Sequence, residues 1–307
     1  MTHGAGFFQN DRFVVRQYFL KQYNAESRML ESFEELLTHH RHIISFNGKC
    51  YDMPLLINRF ILCQKQTCLA ELSHTDLLYP ARILWRGRLN SVTFSCLEKE
   101  ILKKKRSDDI PGWMIPSIYF NYQRQGETDT IKRIFNHNRD DIVGLMLLYR
   151  ELSLRFILPD QHKSTSFPVA RYLFEKSPEI ALTLLESTVN DPYNSEDAYQ
   201  AMKLLGQYHK KQGDYDQAHS YWKRMTYLNP RAELTPFIEL AKYYEHKAKD
   251  LIKAQEIVNY ALSFNFPLDN DICYRQKRIE RKLTQKHKIT KSLSDYLLKL
   301  YDLPYFF

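Results

Sequence analysis

The stretch His42-Ile-Ile-Ser-Phe-Asn-Gly-Lys-Cys-Tyr-Asp-Met-Pro54 decides how the first half of the chain is read. A short apolar run ends at the turn-forming pair Asn47-Gly48, and a second apolar segment starts just past Asp52. That order is a buried strand, a tight turn and a helix start. It puts Asn47 and Asp52 at the carboxyl end of a strand, where an open α/β sheet presents its binding groups. A structural reading stands beside this one. Asp is a favoured helix cap and Pro54 is tolerated in a first helical turn, so a capping Asp52 has the same local look.

Further along, His137-Asn-Arg-Asp-Asp141 leads into a strongly apolar segment, Asn138–Phe156, that reads as a helix. His137 and Asp141 are four residues apart and share one helical face. Asp140 points about 100° away from Asp141 and is not chosen as a ligand. The structural alternative for His137 is a histidine at a helix start, bonded locally. Two acids and a histidine, distant in sequence, are a pattern that converges on metal-dependent hydrolysis when the fold brings them together.

These residues resemble a known family. Ser45–Leu56 is similar to the second exonuclease motif of the DEDD superfamily of ribonuclease-H-like nucleases, an Asn followed by an aromatic-Asp pair. His137–Asp141 is similar to its third motif. The text between them, His74-Thr-Asp-Leu-Leu, Ala81-Arg-Ile-Leu-Trp85 and Asp109-Ile-Pro-Gly-Trp-Met-Ile-Pro116, resembles the YprB-like branch. The resemblance covers Gly4 to Leu154. It implies an α/β ribonuclease-H-like domain with a mixed sheet and 3′–5′ exonuclease chemistry on a single-stranded end of DNA or RNA. It implies Asp52 and Asp141 as ligands of Mg²⁺ or Mn²⁺, His137 as general base, and Asn47, Lys49 and Tyr51 as substrate contacts.

The superfamily's first motif, Asp-x-Glu on the opening strand, has no counterpart upstream of Asn47. Met1-Thr-His-Gly-Ala-Gly-Phe-Phe reads as the second strand, so the first strand is expected before Met1. Two carboxylates would then have to hold two divalent ions against their mutual repulsion. Weak metal binding and little or no nuclease activity are expected of these 307 residues. The alternative is a non-catalytic nucleic-acid or protein-interaction module on a remnant nuclease fold. A third reading makes all the acids helix caps.

The rest of the first half reads in order. Gly6–Leu20 is a hairpin turning at Asn10-Asp11. Ala25–His40 is an amphipathic helix with Asn24 as its cap and Met29, Leu30, Phe33, Leu36 and Leu37 on one face. Leu69–Ser73 is a strand, and Asp76 caps a helix over Leu77–Trp85. Ser95-Cys-Leu-Glu98 has the form of a capping box. Lys103-Lys-Lys-Arg106, with Arg82, Arg86 and Arg88, is either a solvated face or a phosphate-binding rim. Pro116–Arg124 and Asp129–Phe135 are helices. The domain spans 1–157.

Residues 158–168, polar with two prolines, read as a linker. Residues 169–307 form an all-α domain. Leu205-Gly-Gln-Tyr-His-Lys-Lys-Gln-Gly213, Ala218, Trp222 and Pro230 follow the tetratricopeptide pattern. A second copy, with Leu240, Ala241, Tyr244, Ala254, Val258 and Ala261, lacks the turn glycine and has an extra residue near Lys249. Repeats of this kind bury their faces by stacking on one another and more often bind protein segments than nucleic acid, so a protein partner is expected there. Ile272–Lys291 is a basic helix, and Leu297–Phe307 an apolar tail that caps the array.

Composition bounds these readings. Hydrophobic residues make up 44% and charged residues 26%, as in globular proteins, and the net charge is +8, compatible with a polyanionic partner. No run of apolar residues is long enough to cross a membrane, and no signal peptide is readable. Five cysteines without a C-x-x-C pair argue against a disulfide framework or a structural zinc, and a reducing cytoplasm is expected.

Overall fold

A computed structural model describes residues 2–104, 110–126, 129–191, 194–264, 266 and 270–301. The chain divides into two compact units, Met1–Val169 and Ala170–Phe307.

The first unit opens with a hairpin. Strands β1 (Thr2–Gln9) and β2 (Arg12–Phe19) pair antiparallel, from Thr2 opposite Phe19 to Gln9 opposite Arg12. Asn10 and Asp11 make the two-residue turn at φ 47° and 59°. Both are in the left-handed region that this turn demands and that Asn and Asp tolerate. Helix α1 (Glu26–Thr38) buries Met29, Leu30, Phe33, Leu36 and Leu37, as the period predicts. Its cap differs from expectation: Asn24 lies in a 3₁₀ turn, Tyr23–Ala25, and Ala25 precedes the helix.

Strand β3 (His42–Ser45) pairs in parallel with β4 (Ser73–Asp76), Ser45 opposite Asp76. The strand expected at Leu69–Ser73 starts later because Leu69 is drawn into the core of α1 and α2 (Asp52–Leu62), and a turn closes from Glu71 N–H to the Cys68 carbonyl. The mixed strand set is split: among the described residues the antiparallel and parallel pairs form two separate two-stranded sheets. Both rest on one core, in which Ala5, Tyr18 and Ile43 pack on Leu30, Phe33, Leu37, Leu56 and Phe60.

Helices α3 (Leu78–Trp85), α4 (Phe94–Glu100) and α5 (Ile115–Gln125) follow, then α6 (Asp129–Ile157). The two helices expected over Asp129–Phe135 and Asn138–Phe156 are one. No Pro or Gly separates them, and once a helix is nucleated each further residue adds a hydrogen bond. Helix α6 lies against the hairpin through glycines. A Cβ on Gly4 would come 2.3 Å from Asn138 Oδ1 and 2.4 Å from Ile142 Cδ1. Gln17 adds two hydrogen bonds of 2.8 Å, to the Phe135 carbonyl and to Asn138 Oδ1.

Residues 158–168 hold a 3₁₀ turn, Pro159–Gln161, and the start of α7 (Lys163–Leu173), with Pro168 inside the helix. Proline has no N–H for the Ser164 carbonyl, and Arg88 Nη1 donates to that oxygen instead, at 2.9 Å.

The second unit is helical: α8 (Pro178–Val189), α9 (Ser195–Gln212), α10 (Tyr215–Leu228), α11 (Thr235–His246), α12 (Leu251–Leu262) and α13 (Asn270–Tyr301). Small residues set the approach of its helices. A Cβ on Gly206 would come 2.6 Å from Trp222 Nε1, and Ala241, Ala254 and Ala261 are fully buried. The α9–α10 turn is Gly213 in the left-handed region (φ 83°) followed by the capping Asp214. The α11–α12 turn has Lys249 (φ 54°) followed by the capping Asp250. Both turns put a left-handed residue just before the capping Asp, but the second is longer, four residues against two. The basic run at Lys105–Arg106 and the tail at 302–307 lie outside the described residues, as does Asp109.

Candidate functional site

The loop after β3 is fixed by Asp76, a residue read from sequence only as a cap. Its carboxylate is buried and accepts three backbone N–H groups: Asn47 at 2.7 Å and Leu78 at 3.1 Å on Oδ1, and Lys49 at 3.1 Å on Oδ2. The clasp holds Asn47 at φ 62°, a left-handed conformation that Asn accepts. Gly48 completes the bend, since a Cβ there would lie 2.5 Å from Ser45 Oγ. Ser45 Oγ is itself 2.7 Å from His74 Nε2. Burial, then the Lys49 charge, lowers the pKa of His74 below its ordinary value.

Asp52 is not the cap of α2. It is the first helical residue, with Tyr51 before it and no side-chain capping bond. The Met53 N–H is taken up by the Gly48 carbonyl at 2.9 Å. Asp52 is exposed, and among the described residues no hydrogen bond or ion pair engages its carboxylate. Lys49 and Tyr51 also present exposed side chains, Tyr51 at 73%.

His137 and Asp141 are brought together on α6, His137 Nε2 to Asp141 Oδ2 at 3.3 Å. His137 is not at a helix start, as one reading had it, but about two turns inside α6. Lys104 braces this turn from below, donating to the Asp140 carbonyl at 2.9 Å while its Nζ lies 3.6 Å from Glu98 Oε1. Glu98 makes no capping box, because Thr93 precedes α4 without a side-chain bond. Its carboxylate turns inward, 2% exposed, and lies against Gly144, where a Cβ would be 2.5 Å from Oε1.

One aromatic ring links the two halves. Phe94 packs on Phe46, next to Asn47, with ring centres 5.3 Å apart. The same ring lies 3.1 Å from where a Gly144 Cβ would be, and Gly144 is on the Asp141 side of α6. The loop and the histidine–aspartate pair therefore border a common neighbour. Among the described residues no group of three or more His, Cys, Asp or Glu side chains is arranged to hold a metal ion. Two carboxylates with two negative charges do not by themselves fit a site for two divalent cations.

In the sequence Asp76 reads only as a cap and Glu98 as structural, though as the first acid to check for an extra carboxylate, and Phe94 is given no role. Only Asp76 had a readable signal, an acid closing a short strand. The inward turn of Glu98 depends on Lys104 and Gly144, which local pattern does not connect.

Comparison with known proteins agrees with the fold. The RNase_H superfamily is matched over residues 1–153. The chain is 29% identical over 279 residues to the uncharacterized protein YprB of Bacillus subtilis (strain 168), a match that takes in 88% of this chain and 65% of that protein. No solved structure matches it. Residues 1–153 therefore form an RNase_H-superfamily domain, followed by a predominantly helical region.

Proposed function

We propose that the first unit binds the single-stranded end of a nucleic acid and carries part of a 3′–5′ exonuclease-type centre, with Asp52, His137 and Asp141 as its reactive groups. The observation that carries this reading is Asp52. It is an exposed acid with no capping role, on a loop whose backbone is pinned by a different, buried acid. A carboxylate kept out of the local hydrogen bonding is available to a ligand.

In this reading Asp52 and Asp141 would hold Mg²⁺ or Mn²⁺, which would supply charge stabilisation for hydrolysis, His137 would be the general base, and Asn47, Lys49 and Tyr51 would touch the strand end. His137 is held for that role by Asp141, at 3.3 Å from its Nε2. The two carboxylates fall short of a two-ion set, so these 307 residues are expected to bind metal weakly and cleave slowly or not at all. The acids that complete such a centre in the DEDD superfamily belong to an Asp-x-Glu strand. The free edges of β1 and β3, each paired on one side only among the described residues, are where an added strand would find hydrogen-bonding partners.

The second unit, with its repeated hairpins of α9–α10 and α11–α12, is proposed as a tetratricopeptide-like scaffold for a protein segment. The competing reading, a non-catalytic module, shares this scaffold and differs only at the acids. Degradation of labelled single-stranded DNA and RNA, with Mn²⁺ and with a chelator, separates the two. Robust metal-dependent cleavage that disappears in Asp141→Ala establishes the centre and overturns the expected inactivity. Binding of strand ends without cleavage, weakened in Asp52→Asn and Asp141→Asn, is the expected result. Binding that neither variant changes leaves the non-catalytic reading.

A further inference from the structure

A second feature of the first unit lies along α3 and the loop that follows. Residues Arg82, Arg86, Gly87, Leu89, Asn90, Ser91, Val92 and Thr93 enclose an open pocket of about 480 Å³. Arg82 and Arg86 are both exposed, and among the described residues neither guanidinium has a carboxylate partner. The pocket wall adds the Asn90 amide and the hydroxyls of Ser91 and Thr93. Pockets for uncharged small molecules are mostly apolar. This one offers two fixed forks of N–H donors and three neutral polar groups, which is chemistry for a phosphate oxyanion.

A second cavity, in the helical unit, is lined differently. That cavity, about 130 Å³ between α9, α10 and α11, also contains cations, Lys203 and Lys210. Both are paired, with Glu233 and Glu239. Arg88, the third arginine of the α3 region, is likewise engaged, on the Ser164 carbonyl. Among the described residues Arg82 and Arg86 have no such partner.

Position gives the ligand's source. Helix α3 starts at the Asp76 clasp that holds Asn47, with Arg82 one turn along it and Arg86 just past its carboxyl end. The far wall of the pocket, Thr93, is followed by Phe94, whose ring packs on Phe46 beside Asn47. The pocket is therefore joined to the candidate site through α3 on one side and through Phe94 on the other. We propose that this pocket is a phosphate-binding site, occupied by a backbone phosphate of a nucleic-acid strand whose end lies at Asp52 and Asp141. The choice of phosphate source rests on the nucleic-acid reading above. A free nucleotide or polyphosphate offers the same oxyanion, and the bland account is that Arg86 merely complements the carboxyl end of α3.

The test compares the full chain with the Arg82→Gln/Arg86→Gln variant. A fluorescently labelled single-stranded oligonucleotide of about twelve nucleotides, long enough to reach past the end-binding site, is titrated by anisotropy over a range of salt concentrations, and pyrophosphate by calorimetry. The expected result is binding weakened at least tenfold at low salt in the variant. The slope of log affinity against log salt should fall in magnitude by about 0.7, for the one strand phosphate that the pocket neutralises. An unchanged melting temperature shows that the variant folds. If the oligonucleotide does not bind but pyrophosphate does, and the variant abolishes it, the phosphate site stands and the nucleic-acid reading of its neighbour fails. A variant that matches wild type in affinity and slope overturns the proposal, and so does a wild-type chain that binds neither probe.

Discussion

Asp76 and Glu245 are both buried carboxylates at a junction of elements, one in each unit, and they are satisfied in different ways. Asp76 accepts three backbone N–H groups and so fixes the path of a loop. Glu245, on α11, accepts side-chain cations from α13: Arg275 at 3.0 Å, Lys282 at 2.7 Å, and Arg278. The first arrangement makes a precise local shape that leaves neighbouring side chains out of it, Asp52 among them. The second joins two helices through long side chains and fixes their docking rather than any loop. A site needs the first kind of support, and a stacked array needs the second.

The largest effect is expected from Glu245→Ala, which leaves Arg275 buried without its main counter-charge. A loss of about 3–5 kcal/mol is predicted in denaturant unfolding followed by helical signal. A loss below about 1 kcal/mol would mean that the hub is solvated and the contrast with Asp76 is false. The hub also has a pH signature. Burial alone would raise the pKa of Glu245, but hydrogen bonds from Arg278 and Lys282 hold it at about 2, against an ordinary 4.5. A depressed folded value means that this stabilisation is complete above about pH 4.5 and is lost as pH falls towards 2. Acid unfolding of Glu245→Gln should show a shallower slope across that window.

Asp76→Ala comes next. It strands three N–H groups, two of them in the site loop, and a loss of about 2–3 kcal/mol is predicted, with faster hydrogen exchange at Asn47 and Lys49. Slow exchange at those amides in the variant would show that the loop is held by something else. Lys249→Gly is expected to have the opposite sign. It relieves a left-handed lysine where the preceding hairpin has Gly213, at some entropic cost in the unfolded chain, for a net gain of about 0.5 kcal/mol in midpoint measurements. Asp52→Asn is the smallest, within about 0.5 kcal/mol of wild type, because its carboxylate supports no local bond. A clear destabilisation would reassign Asp52 to structure and remove the basis for the site.

Much of the fold was legible because its signals are local. The Asn10-Asp11 turn, the buried face of α1, the β3–α2 punctuation and the alanine and tryptophan pattern of the helical pairs each depend on residues a few positions apart. What was not legible depends on distant partners. The capping roles given to Asn24 and Ser95 failed because other turns start those helices. The single span of α6 was hidden by a polar stretch, Asn136-His-Asn-Arg139, that is stabilised by Gln17 from β2. The pairing of His137 with Asp141 followed from helical spacing. The clasp of Asp76 on Asn47 and Lys49 joins residues 29 and 27 apart across a parallel strand pair, and no spacing rule reaches that far.

The central claim is that the loop Asn47–Asp52 and the turn His137–Asp141 serve one ligand. Backbone amide resonances of the full chain, followed during titration with a short single-stranded oligonucleotide, test it most directly. The account predicts that both segments shift along a single binding curve, and that Asp52→Asn weakens the response at His137 and Asp141. Shifts confined to one segment, or two segments with different affinities, would contradict it.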